Sequence, residues 1–130
     1  MATPPRIQHV TITVRDPELL PEMARFYRRL GGVTLVRPSA LEADTPGYWF
    51  GFGETQLHVV PGEPVPEPAH FALDLGEAYD SVLDELRGSG AKVRTARDLW
   101  GGRRSFVHDP AGNLFEVFDR PPESTPNAAD

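Results

Sequence analysis

The chain has 130 residues, 39% hydrophobic and 25% charged, with a formal net charge of −6. That size predicts one domain with room for a substantial core, and the acidic balance excludes nucleic acid and anionic membrane as expected partners, since both need clustered cations. Zero cysteines exclude disulfides and thiolate metal sites; no apolar run is long enough to span a bilayer and no signal-peptide core opens the chain, so the cytoplasm is the expected compartment.

In chain order, residues 1–5 hold two prolines and no apolar pattern, and are expected to form a disordered tail. Residues 7–14 alternate apolar and polar and predict a strand. Asp16-Pro17 suits a helix N-cap followed by the first helical position. Leu19, Leu20, Met23, Phe26, Tyr27 and Leu30 then recur at helical spacing up to Gly31-Gly32. Short strands are predicted over 33–36, 48–52 and 56–60, with Gly53-Glu54 as the hairpin turn between the last two. Residues 61–68 carry four prolines in eight positions and read as an extended linker. A strand over 69–75, a helix over 77–87 ending at Gly88, and strands over 92–95, 104–107 and 113–119 follow. Asp109-Pro110-Ala111-Gly112 has the residues of a type I turn. Residues 120–130 are polar, hold three prolines and are expected to be a second tail.

Four strand-like segments each carry one metal-ligand type on their more polar face: His9, His58, His70 and Glu116. His58 follows His9 by 49 positions and Glu116 follows His70 by 46. Each half therefore opens and closes with a ligand candidate, and a duplicated βαβββ unit accounts for the layout. The predicted fold class is α+β: two βαβββ modules, about 6–60 and 69–119, forming a cupped, partly open mixed sheet with helices on the outer face. Three imidazoles and a carboxylate suit Zn, Fe, Ni, Co or Mn better than Ca.

These modules, the early His9-Val10-Thr11 strand and the segment Asp109-Pro110-Ala111-Gly112-Asn113-Leu114-Phe115-Glu116 resemble the vicinal oxygen chelate superfamily, also called the glyoxalase/bleomycin resistance/dioxygenase superfamily. The resemblance covers roughly residues 6–119. It implies that His9, His70 and Glu116, with His58 at the fourth position, hold a divalent transition metal. It implies a small-molecule substrate that chelates the ion through vicinal oxygens, and a homodimer. Glyoxalase I carries a carboxylate where this chain has His58, and a metal-bound imidazole has no free lone pair to take a proton. That leaves Glu116 as the catalytic base.

The resemblance thus implies a metal-dependent lyase or isomerase. A metal-free drug- or metabolite-binding protein of the bleomycin-resistance type is the alternative, although such proteins lack the ligand set. Extradiol dioxygenases and fosfomycin-type thiol transferases use a His, His, Glu set that His9, His70 and Glu116 match. Trp49, Phe50, Phe52, Trp100 and Phe106 are candidates to line the substrate cavity, or to be plain core. Arg103 and Arg104 are read either as binders of an anionic substrate group or as a solvated hairpin pair, and His108 is not expected to be a ligand.

Overall fold

The computed structural model describes residues 4–126. The elements run β1 (His9–Val14), α1 (Leu20–Arg29), β2 (Val33–Leu35), α2 (Ser39–Asp44), β3 (Tyr48–Phe52), β4 (Thr55–Pro61), β5 (Phe71–Asp74), α3 (Tyr79–Gly88), β6 (Lys92–Ala96), β7 (Arg104–His108) and β8 (Leu114–Phe118). Asp16 caps the first helical segment, its carboxylate accepting from the Glu18 amide at 3.0 Å, with Pro17 in the position where a missing N–H costs nothing. Gly53 turns the β3–β4 hairpin at φ +58°, a conformation that glycine adopts without steric cost.

The strands form two four-stranded sheets, ordered β1-β4-β3-β2 and β5-β8-β7-β6. In each, the first and last strands pair in parallel and the other pairs are antiparallel. The duplicated βαβββ layout is therefore present in hydrogen-bonding detail. Among the described residues no ladder joins the two sheets, so the mixed β surface is open and not a closed barrel.

Alternation assigns the faces. Val10, Ile12 and Val14 of β1 turn toward the helices, while His9, Thr11 and Thr13 turn away. One apolar cluster holds both modules together: Val14, Tyr27, Phe50, Val59, Leu86, Val107, Phe115 and Val117 are all 0% exposed. Helix α1 bridges the sheets, with Tyr27 5.9 Å from Phe50 and 6.2 Å from Phe115, and Phe26 5.8 Å from Phe115 by ring centroids. Each large side chain so buried contributes roughly 1.5–3 kcal/mol relative to exposure.

A polar node also ties the modules. In the predicted turn, Gly112 donates to the Asp109 carbonyl at 2.9 Å, and Gly112 sits at φ +91°. The Asp109 carboxylate accepts from Tyr27 Oη at 2.6 Å and from Asn113 Nδ2 at 2.9 Å. Asn113 Nδ2 also donates to the Thr13 carbonyl on β1 at 2.9 Å. Burial, followed by the neighbouring Asp109 charge, raises the Tyr27 hydroxyl well above its usual range. Burial also raises the Asp109 carboxyl, against the pull of the hydrogen bonds from Tyr27 and Asn113.

Three details depart from the sequence expectation. His70 precedes β5, whose ladder begins at Phe71. Strand β4 runs on to Pro61, which pairs with Val14, so the linker starts one residue later. Helix α2 was not expected. Residues 4–5 and 119–126 lie outside the regular elements, and the expectations for residues 1–3 and 127–130 fall outside the described residues. No helix among the described residues is long and apolar enough to cross a membrane.

Candidate functional site

On the polar face of the first sheet, register lines up Thr11, His58, Trp49 and Leu35 across β1, β4, β3 and β2. The His58 ring stacks on Trp49 at 4.0 Å and on His9 at 4.1 Å, nearly parallel to both. His9 Nδ1 donates to Gln8 Oε1 at 2.7 Å and His58 Nε2 to Gln56 Oε1 at 2.8 Å. In its neutral form each imidazole then has its other nitrogen as the lone-pair acceptor. His58 is buried, and its pKa is lowered first by that burial and then by the nearby His9 and Arg37 charges. A neutral imidazole is the form that ligates a metal.

On the second sheet, Arg94, Phe106, Glu116 and Ala72 line up across β6, β7, β8 and β5. Glu116 is buried, and Arg104 Nε donates to its Oε2 at 2.6 Å. Arg104 is buried too, and its Nη1 donates to the Arg97 carbonyl at 2.8 Å. Its guanidinium lies over the Trp100 and Phe106 rings at 5.3 and 5.4 Å. Glu116 Oε1 is left facing His70 Nε2 at 3.7 Å. His70 Nδ1 donates to the Pro68 carbonyl at 2.7 Å, so in the neutral ring the lone pair belongs to Nε2, the nitrogen facing Glu116.

The four ligand candidates are thus delivered as two pairs. Among the described residues no three of His, Asp and Glu converge on one point able to hold a metal ion. The edge strands β1 and β5 flank a cavity of about 210 Å³, with Thr11 from one side and His70 from the other. The donor types of both pairs suit a divalent transition metal, but the stacked His9 and His58 rings, nearly parallel at 4.1 Å, do not aim their in-plane lone pairs at one shared ion. Three imidazoles have one nitrogen tied to a carbonyl-type acceptor and the other free, the arrangement by which metal-ligating histidines are oriented. The 3.7 Å between His70 Nε2 and Glu116 Oε1 is close to the separation of two donors on one ion with bonds of about 2.1 Å.

The candidate cavity residues divide. Trp49, Trp100, Arg104 and Phe106 lie on or beside the polar faces. Phe50 does not: it is 0% exposed and packs against Tyr27, because its odd-even partner Trp49 takes the polar face. Phe52 likewise belongs to the half-buried fringe of the core. Arg103 and Arg104 separate for the same reason. Arg103 is exposed and pairs with Asp80 at 2.7 Å and Asp119 at 2.9 Å, so only Arg104 belongs to the site. His108 pairs with Glu67.

Sequence reasoning missed the residues that orient the donors. Gln56 stands two positions before His58 on the same face, a period-two signal that was available; Gln8 and the Pro68 carbonyl had none. Arg37 was also missed. It is 6% exposed, donates to the Gly47 and Thr45 carbonyls at 3.1 and 2.7 Å, and has a buried Nε with no partner.

The glyoxalase-like domain model matches residues 9–118. The chain belongs to the glyoxalase-like domain family. This places it in the vicinal oxygen chelate superfamily. A protein from Bacillus anthracis described as of the glyoxalase family superposes with a TM-score of 0.77, at 24% identity over 91% of this chain and 97% of that one. The fosfomycin resistance protein FosX from Listeria monocytogenes gives 0.74, at 16% identity over 92% and 94%. Lactoylglutathione lyase from Agrobacterium tumefaciens gives 0.63, at 19% identity over 90% and 95%. At these identities the likeness is one of fold. No curated protein sequence matches the chain.

Proposed function

We propose that this glyoxalase-like protein is a metal-dependent enzyme of the lyase or isomerase kind, acting on a small molecule that presents two neighbouring oxygens to a divalent transition metal. The observation that carries the reading is the His70–Glu116 pair, with Nε2 3.7 Å from a carboxylate oxygen that no other group among the described residues engages. His70 and Glu116, together with His9 and His58, would hold the ion. A divalent ion bound there supplies Lewis acidity toward a carbonyl oxygen. Arg104 fixes the Glu116 carboxylate through Oε2, and Oε1 is the atom positioned to take a proton from substrate. Trp49 and Phe106 flank the two pairs with aromatic surface.

We further propose that a second copy of the chain completes the site, each centre taking His9 and His58 from one chain and His70 and Glu116 from the other. In support, residues His9 and His70 are both exposed, and the pairs do not converge within one chain.

Metal analysis of protein purified without an affinity tag tests the first claim: a transition metal should co-purify or bind at micromolar concentration, and both His9→Ala and Glu116→Ala should abolish binding. Co-refolding those two variants tests the second. Random reassortment makes half the dimers mixed, each with one intact site of two, restoring roughly a quarter of wild-type metal. No restoration would mean that the centre forms within one chain, and no binding by the wild type would sink the enzyme reading.

A further inference from the structure

We propose that Arg94 recognises an oxyanion on the ligand, so that the substrate class is a small organic anion; the inference rests on the reading of the His70–Glu116 pair as the reactive centre. Arg94 stands in the same cross-strand row as Phe106 and Glu116. Its guanidinium lies 5.1 Å from the centroid of the Phe106 ring, which also meets the Arg104 guanidinium at 5.4 Å and His70, edge-on, at 5.3 Å. The attraction between a cation and an aromatic face holds the side chain over the row instead of letting it extend into water.

The charges on this face are distributed unevenly. Arg104 is committed to Glu116 and to the Arg97 carbonyl. Asp74 accepts from the Gly76 amide at 3.0 Å. Arg94 is exposed and, among the described residues, has no ion-pair or hydrogen-bond partner. Lys92, two positions before it on the same face, adds a second unpaired cation. The row therefore presents positive charge to solvent on a chain whose net charge is −6.

Arg94 on β6 and Glu116 on β8 stand two strands apart, about 10 Å between backbones at about 4.8 Å per strand, with Phe106 between them. A small aromatic hydroxy acid lying over Phe106 would fit between the two side chains. A carboxylate held by the fork of Arg94 would direct the neighbouring oxygens of such a molecule toward His70 Nε2 and Glu116 Oε1.

The test compares ligands that differ by one charge. Tag-free protein, with metal content measured on every sample, is titrated calorimetrically with catechol and with protocatechuate after loading with Zn²⁺. Metal-free protein is titrated with benzamide and with benzoate. Wild type should bind each carboxylate about tenfold more tightly than its neutral partner. Arg94→Met should erase that preference, Arg94→Lys should restore part of it, and neither should change metal content or affinity for the neutral ligands. Equal affinities in wild type, or a preference that survives Arg94→Met, would overturn the proposal. Absence of metal uptake would overturn only the enzyme reading, and the benzoate–benzamide pair would still decide the role of Arg94.

Discussion

Replacing Arg104 by methionine isolates the contact that fixes Glu116. The two side chains are 10% and 9% exposed, and Nε sits 2.6 Å from Oε2. Methionine retains much of the aliphatic contact with Phe106 and Trp100 but removes the guanidinium paired with a carboxylate that water barely reaches. Breaking a buried pair from one side costs about 3–5 kcal/mol, because the remaining charge is uncompensated. The residual exposure of both groups favours the lower end, about 3 kcal/mol. At this chain length that corresponds to a fall in Tm of about 10 °C. Urea denaturation followed by far-UV circular dichroism measures it, with an unchanged slope required for the loss to be one of stability alone. The double variant Arg104→Met/Glu116→Leu should return to within about 1 kcal/mol of wild type, since no charge is left stranded. A single-variant loss below about 1 kcal/mol, or additive losses in the double variant, would refute a tightly coupled buried pair.

Three further outcomes are expected. Phe50→Ala should destabilise the fold by about 3–5 kcal/mol, whereas Trp49→Ala should cost far less while changing ligand affinity, which denaturation and titration of both variants would separate. Tyr27→Phe removes a buried hydrogen bond to a carboxylate and should cost about 1.5–3 kcal/mol in the same denaturation assay. The third concerns pH. The His58 pKa is held below its usual 6.5 by burial and by the His9 and Arg37 charges. The unfolded chain therefore binds more protons, so stability should be present above pH 6.5 and be lost as pH falls through and below it. Denaturation midpoints between about pH 5 and pH 7 should show that slope, and His58→Gln should flatten it.

Local chemistry made most of the architecture legible. Alternation at His9–Val14 placed His9 opposite Ile12 and Val14, and the structure agrees. The Leu20, Met23, Phe26 and Tyr27 stripe found the buried face of α1, and Asp109 to Gly112 forms the expected turn. These features follow from spacing within a few residues. Misreadings came where spacing was short or alternation ambiguous. Phe50 sits in a run of aromatics, and only the pairing of Trp49 with His58 shows which neighbour faces the core. Arg103 and Arg104 are identical in type, and their separation depends on β7 lying between β6 and β8. Helix α2 is a single short segment with no buried residue, so it leaves no apolar stripe to detect.

By itself the sequence determined the two-module fold and singled out four candidate ligands, because side-chain periodicity and turn chemistry are encoded locally. Only the tertiary structure decided which candidates meet. Strand register, a contact between residues tens of positions apart, stacked His58 between His9 and Trp49 and set Glu116 between Arg104 and His70. It also left the two pairs apart within the described chain, a matter of how the sheets are disposed that no local pattern records.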